Sequence, residues 1–300
     1  KSSFFTYTIG QPYFQTKGTT LLILCEEGEV EYSDKLLAQT HTVKEVISEE
    51  KDLTPANLMA LNAKHHPERV LIEYNGMWNY KELRLPHAWR LEQQITTIDA
   101  STFSMYFSNM KSLLAEQIRN SELIMFNRCD NLEEKTLHTY KRNVKAINQQ
   151  AEIIFEDANG EVDVTMEEDL PFDLHADPIR LEGLSYGIWY LDAMEHPDRY
   201  VGKTVSYTGM VLRPHDFPKG YFVPGRMAMT CCANDMTFLG YACRAGEADS
   251  LKERQWVKVT AKVAKEEFEA YGGEGVVLDA VQVEEASEPE HAVIDFSAPQ

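Results

Sequence analysis

Residues 69–78 read RVLIEYNGMW, and the fold turns on how that stretch is understood. Val70, Leu71 and Ile72 form an apolar run with no polar alternation, and the carboxylate of Glu73 follows at once. Unbroken apolar strands suit sheets whose two faces are both covered by helices, as in parallel α/β sheets. A carboxylate and a glycine just past such a strand, Glu73 and Gly76, stand where open α/β sheets place their ligands. The plainer reading is a core strand ending in a turn, with Asn75-Gly76 as the turn signal. The flanking chain has to choose between the two.

Upstream, residues 2–9 have the pattern of an amphipathic helix closed by Gln11-Pro12, and residues 19–25 (TTLLILC) form a short apolar strand before an acidic loop at 26–29. Residues 34–39 suit a short helix and 42–47 a strand. Thr54-Pro55 opens a helix, with a hydroxyl N-cap and proline at the first helical position, and that helix ends before Pro67. Downstream, residues 95–98 form a strand ending at Asp99, and helices fill 102–120. A strand at 123–126 runs into Asn127-Arg128-Cys129-Asp130, a helix covers 132–148 and a last strand 152–155. Strands alternating with helical stretches of this length predict an α/β fold with a mostly parallel sheet flanked by helices. Cys25-Glu26, Glu73 and Asn127 all end strands, and one parallel sheet would bring them to one edge, where a nucleotide binds.

Two segments carry a readable nucleotide chemistry. Asn127-Arg128-Cys129-Asp130 approximates the guanine-reading Asn-Lys-x-Asp pattern. Its aspartate accepts hydrogen bonds from the base N1–H and exocyclic amine, and a base lacking those donors leaves a buried carboxylate unpaired. Lys1-Ser2, followed by a helix, is what remains of G-x-x-x-x-G-K-[ST] if the chain is cut inside that motif. Any chain can begin Lys-Ser, and on two residues alone a chance beginning is the better reading.

Taken together, these residues resemble the CobW/HypB/UreG family of P-loop GTPases, in its CobW-like branch. The resemblance runs over about residues 1–157 and is carried by Lys1-Ser2, LLILCEEGE (21–29), LIEYNG (71–76), TTIDA (96–100) and NRCD (127–130). It implies a P-loop NTPase fold that binds GTP and Mg²⁺. Lys1 would contact the β- and γ-phosphates and Ser2 would bind Mg²⁺. Glu73 would lie near the ion or its water shell, and Gly76 would give a backbone N–H near the γ-phosphate. Asn127 and Asp130 would take the base, and Glu26 and Glu29 would sit in a switch-like loop, Glu26 on the Mg²⁺ side. Lys1 and Glu73 are the catalytic candidates. Two departures stand out: residues 47–52 (ISEEKD) hold no thiol where family members often carry Cys-x-Cys-Cys, and arginine replaces lysine at 128. A chain beginning at Lys1 lacks the first strand and the P-loop glycines, and is expected to hold GTP weakly.

The second half has a different texture. Residues 156–177 are acidic and aperiodic, which reads as a surface linker, so the expected division is a GTPase domain at 1–157, an acidic linker at 158–180 and a helix-plus-barrel domain at 181–290. Residues 184–194 fit a helix, with Asp192 where its apolar face should continue. Five strand candidates follow, at 204–212, 221–230, 237–243, 256–264 and 275–283, and short strands with Gly/Pro turns suggest a small OB-like all-β domain. Within RMAMTCCAND (226–235), Cys231 and Cys232, with Asp235 and His215 or Cys243, are candidate Zn²⁺ ligands. Buried structural thiols are the equal alternative. This half resembles the C-terminal domain of YcgQ-type proteins, which accompany a permease and share R-x-x-x-T-C-C-A-x-D.

Composition bounds the function. A chain of 300 residues, 43% hydrophobic and 26% charged, has room for one large or two ordinary domains. Its formal net charge of −19 opposes nonspecific nucleic-acid binding and suits the handling of cations. No apolar run reaches the ~18 residues of a membrane span, and no signal-peptide pattern is present, so a cytoplasmic protein that does not itself span a membrane is the default. Five irregularly spaced cysteines argue for thiols or metal ligands over a disulfide framework. The expected activity is GTP hydrolysis coupled to divalent-metal delivery, zinc among the candidates, with a metal-receiving protein or a membrane permease subunit as partner. The alternative is a noncatalytic metal-binding or adaptor protein that keeps the P-loop fold.

Overall fold

The computed structural model describes residues 1–26, 31–164, 170–215, 217–229 and 236–296. The chain divides into two compact units, Lys1–Thr97 and Ile98–Gln300. The first unit contains α1 (Ser2–Gly10), β1 (Thr20–Leu24), α2 (Asp34–Gln39), β2 (Thr42–Val46), α3 (Pro55–His65) and β3 (Arg69–Glu73). β1 pairs in parallel with β2 on one side and β3 on the other, so Leu24 is level with both Val46 and Glu73. Alternate side chains of β1 enter opposite cores. Leu21 and Ile23 pack with Leu58 of α3, whereas Leu22 and Leu24 pack with Ile9 of α1 and Leu37 of α2. Both faces are covered, which is why these strands read as unbroken apolar runs. The α3 start is as its sequence predicts: Thr54 Oγ1 accepts the Asn57 N–H at 3.3 Å and Pro55 takes the first helical position. The helix stops at His66, whose φ of 45° is left-handed, just before Pro67.

The unit boundary falls inside β4 (Ile95–Asp99). Next come α4 (Phe103–Asn109), α5 (Lys111–Ile118), β5 (Leu123–Asn127), α6 (Glu134–Ile147), β6 (Glu152–Asp157) and β7 (Gly160–Val162). These strands form a second sheet in the order β4-β5-β6-β7, with β5 and β6 parallel and β6 and β7 an antiparallel hairpin. The single parallel sheet expected from the sequence is therefore two hydrogen-bonded sheets. Among the described residues β3 and β4 do not pair, so each is an edge strand. The cluster formed by Phe103, Phe126, Tyr140 and Phe155 fills the core beneath this second sheet.

The acidic stretch is more than a solvated connector. β7 lies in it, Phe172 and Leu174 rest on the core of the last domain, and its end leads into β8 (Ile179–Leu181), which pairs in parallel with β9 (Thr204–Leu212). After α7 (Leu184–Glu195) come β9 (Thr204–Leu212), β10 (Tyr221–Met229), β11 (Met236–Gly240), β12 (Ala242–Arg244), β13 (Trp256–Phe268), β14 (Gly273–Glu285) and β15 (Val293–Asp295). Five of them close into a barrel, each strand paired with the next in the order β9-β10-β12-β14-β13 and back to β9. The β12–β14 pair is parallel and the other four are antiparallel. Residues 237–243, one strand in the sequence reading, are two strands parted at Tyr241, whose hydroxyl donates to the Tyr190 carbonyl at 2.6 Å.

Glycine is required where the ring tightens. A Cβ on Gly225 would lie 2.3 Å from the Leu239 carbonyl oxygen, and one on Gly209 would lie 2.9 Å from the Gly225 nitrogen. The α7 helix, buried on nearly all sides, plugs the barrel core with Tyr186 and Trp189. Asp192 on its apolar side is fully buried yet not unpaired: Arg199 Nη1 donates to both its oxygens at 2.7 Å, and the Tyr200 hydroxyl also donates to it. At the helix end, Glu195 takes the ammonium groups of Lys141 and Lys145 from α6, at 3.0 and 2.8 Å. No described helix is long and apolar enough to cross a membrane.

Candidate functional site

In the first unit, the strand ends bring five of the predicted residues together. Glu73 closes β3 and is 3% exposed. Its Oε1 accepts the Ser2 hydroxyl at 2.6 Å, and its Oε2 accepts the Tyr32 hydroxyl at 2.5 Å. The Glu73 carbonyl accepts the Cys25 N–H at 2.9 Å, which ties the two parallel strand ends to each other. Lys1, the residue capping α1, donates from its ammonium to the Tyr74 carbonyl at 3.1 Å and pairs with the Glu26 carboxylate. That ammonium lies 3.9 Å from the point where a Cβ on Gly76 would stand, so the missing side chain keeps the space beside it open. Asn75 and Gly76 do form the turn that their dipeptide signals. The Asn75 carbonyl accepts the Trp78 N–H at 3.1 Å, and its side-chain oxygen takes the Met77 N–H at 2.9 Å. Strand end and turn are thus one structure.

This cluster combines side-chain types that could hold a phosphate and a divalent cation. P-loop NTPases hold Mg²⁺ with a motif hydroxyl and an acidic residue, and cradle phosphates with the motif lysine. Here a hydroxyl and a carboxylate, both hard oxygen donors of the sort Mg²⁺ takes, meet at 2.6 Å beside an ammonium. The donor set fits that ion. Cys25 is a poor candidate for metal. Burial pushes its thiol up to about 12, with Lys1 only partly opposing the shift, so it stays protonated at neutral pH. Glu26 sits on Lys1, and Glu29 lies outside the described residues. Tyr32 was not legible from the sequence, since nothing local marks a tyrosine just before the N-cap Ser33 as a partner of a carboxylate 41 residues away.

The segment Asn127–Asp130 is built in the second unit. Arg128 takes a left-handed φ of 57°, which turns the chain out of β5. The Asn127 carbonyl accepts the Ala100 N–H, and the Cys129 N–H donates to the Glu156 carbonyl, at 2.9 and 3.0 Å. The Arg128 guanidinium donates to Asp99 Oδ2 at 2.6 Å. Burial raises the Asp99 carboxyl, but the Ser101 hydroxyl and Arg128 outweigh it and hold the group below its ordinary range. Asp130 is exposed, and its Oδ1 accepts the Ala158 N–H at 2.9 Å. The sequence argument placed a buried carboxylate here, one that suffers if left unpaired. An exposed carboxylate rehydrates when it lacks a donor, so as it stands Asp130 would reject a wrong base only weakly.

Cys231 and Cys232, the candidate zinc ligands, lie outside the described residues, as does Asp235. Cys243 is buried in the barrel core, where burial pushes its thiol well up. Among the described residues no group of three or more His, Cys, Asp or Glu side chains is placed to hold a metal ion.

Residues 23–155 match the family model of the CobW/HypB/UreG nucleotide-binding domain, and residues 156–294 match that of the DUF1980 C-terminal domain. No curated protein matches the chain. Among solved structures, similar chains include the Zn(II)-bound YjiA GTPase from E. coli, at 14% identity over 80% of this chain and 84% of that one, with a TM-score of 0.38. A mitochondrial single-stranded DNA-binding protein of S. cerevisiae, Rim1, is similar at 13% identity over 28% of this chain and 98% of its own, with a TM-score of 0.19.

Proposed function

We propose that this chain, which belongs to the CobW/HypB/UreG nucleotide-binding family over residues 23–155 and carries a DUF1980 C-terminal domain over 156–294, binds and hydrolyses GTP. Its nucleotide state would be coupled to divalent-metal delivery or to the regulation of a membrane permease. The observation that carries this reading is the contact of Ser2 with Glu73 at the end of a parallel strand, with the Lys1 ammonium beside Gly76. When bound, Mg²⁺ supplies charge neutralisation on the phosphates. Ser2 and Glu73 are the residues that would hold it. Lys1 would stabilise charge on the transferring phosphoryl group, which is where phosphoryl-transfer enzymes gain most of their rate. To do so it must exchange Glu26 for phosphate oxygens. Asn127 and Asp130 are the residues proposed to take the guanine. The closed ring with its single parallel pair supports an OB-like reading of the barrel, and Cys231 with Cys232 remains the proposed zinc pair.

The test is phosphate release from GTP by the full-length protein, with and without Mg²⁺. Lys1→Ala and Glu73→Gln should each lower the rate by about two orders of magnitude, the usual loss when one preorganised charge-stabilising group is removed. A wild-type protein that binds GTP but releases no phosphate would favour the adaptor reading, which draws on the thiol-free stretch at 47–52. A protein that binds no guanine nucleotide at all would sink the GTPase reading and leave the adaptor, which keeps the fold for shape. Zinc stoichiometry of the Cys231→Ser/Cys232→Ser variant tests the metal pair, and an unchanged value rejects it.

A further inference from the structure

Glu73 is held at two points by hydroxyls from two different elements. Ser2, the first residue of α1, takes Oε1, and Tyr32, the residue before the α2 N-cap, takes Oε2, at 2.6 and 2.5 Å. The Tyr32 ring is 6% exposed and sits in the cluster of Ile9, Leu22, Leu24 and Leu37, so packing against α1, β1 and α2 fixes where its hydroxyl lies. A phenol is protonated across the physiological range, so its hydroxyl donates and the carboxylate oxygen accepts.

A glutamate carboxylate turns almost freely about its last torsion, where rotamer preferences are broad. One hydrogen bond leaves that rotation open, whereas bonds to both oxygens fix the plane of the group. We propose that Tyr32 is a positioning residue: it locks the Glu73 carboxylate in the plane that lets Glu73 act with Ser2 on a divalent cation. The inference rests on the nucleotide-and-metal reading above. It adds that the stretch entering α2, not only the α1 end, sets the affinity for the ion. Outer partners that orient metal-binding groups commonly change metal affinity 10- to 100-fold when removed. Tyr32 touches neither ion nor nucleotide in this role, and its effect passes through Glu73 alone.

The experiment uses Mn²⁺ as a paramagnetic stand-in, titrated into the full-length protein with a non-hydrolysable GTP analogue and followed by electron paramagnetic resonance. Tyr32→Phe keeps the packed ring and deletes only the hydroxyl. Mn²⁺ affinity should fall about tenfold, while affinity for the analogue without metal stays as in wild type. Wild-type binding with a Tyr32→Phe value within twofold would overturn this inference alone. Failure of the wild type to bind Mn²⁺ in a nucleotide-dependent way would overturn the reading on which it rests, and the inference with it. A second measurement does not depend on the variant's folding: in protein carrying 3-fluorotyrosine, the Tyr32 fluorine resonance should move when Mg²⁺ is added. A resonance that stays in place would refute the proposal.

Discussion

Replacing Glu195 with glutamine removes one negative charge from between two lysines and leaves the side chain's shape nearly intact. Glu195 ends α7, is 14% exposed, and receives Lys145 from α6 at 2.8 Å in a charge-assisted contact. Lys141 Nζ lies 3.0 Å from Oε2 as an ion pair off the hydrogen-bond axis, and His196 is 4.0 Å away. Both lysine side chains are themselves mostly buried. A hydrogen bond to a charged group is worth about 1.5–3 kcal/mol, and breaking a buried pair on one side costs about 3–5. The site keeps some solvent contact, so a loss of about 2–4 kcal/mol is expected. For a unit of this size that corresponds to a fall in melting temperature of about 5–15 °C.

The assay is urea unfolding read by tryptophan fluorescence in a Trp78→Phe/Trp89→Phe background, which leaves Trp189 of α7 and Trp256 of β13 as reporters. Adding Lys141→Met and Lys145→Met to Glu195→Gln should restore most of the loss, because the stranded cations are then gone. The effect also has a pH signature. Burial raises the Glu195 carboxyl, but Lys145 and Lys141 outweigh it and hold the group below its ordinary value. The unfolded chain therefore binds the proton first, and the contribution is complete above the ordinary carboxylate range and lost as pH falls through the folded value. A loss below about 0.5 kcal/mol at pH 7, the ordinary scatter of surface changes, would show that this contact does not fasten α6 to α7.

Two further outcomes follow from local geometry. Gly225→Ala forces a methyl to 2.3 Å from the Leu239 carbonyl oxygen; the β10–β11 pairing must open, and a loss of about 3 kcal/mol or more is expected in calorimetry, with a wild-type melting curve as the contrary result. Thr54→Ala deletes the acceptor for the Asn57 N–H at the start of α3 and should cost about 1 kcal/mol, measured by urea unfolding of the first unit at Trp78 and Trp89.

What the sequence disclosed depended on how far apart the cooperating residues lie. The α3 start was legible because Thr54 and Pro55 act within one turn. The Glu73 edge was legible because an apolar run stops abruptly at a carboxylate. The pairing of Tyr32 with Glu73 was not, since its cause is tertiary packing of a ring that carries no local signal. The break at Tyr241 was hidden because both halves keep strand character and pair with β10 in one register, and only β12 takes β14 as a second neighbour. The division into two sheets was equally hidden: an apolar strand shows that its faces are covered but says nothing of what lies at its edges. Acidity suggested a linker at 156–177, but Glu156 and Asp157 end β6 and Glu161 lies in β7, so part of that charge sits on a two-stranded hairpin.

The parallel seam between β12 and β14 has a consequence in time. Strands β9, β10 and β12 leave the ribosome first, yet β12 can take its second neighbour only after β13 and β14 as far as Asp279 have appeared, about 35 residues later. Until then β12 has an unpaired edge and the interior around Tyr207 and Phe222 is open on that side. Closure is thus a late, long-range event, of the class that slows folding and leaves nascent sheet edges available for mispairing. The acidic residues at 284, 285, 288 and 290, which emerge just as the ring can shut, put like charge at the end of the strand that completes it, and like charge discourages a second nascent chain from pairing there.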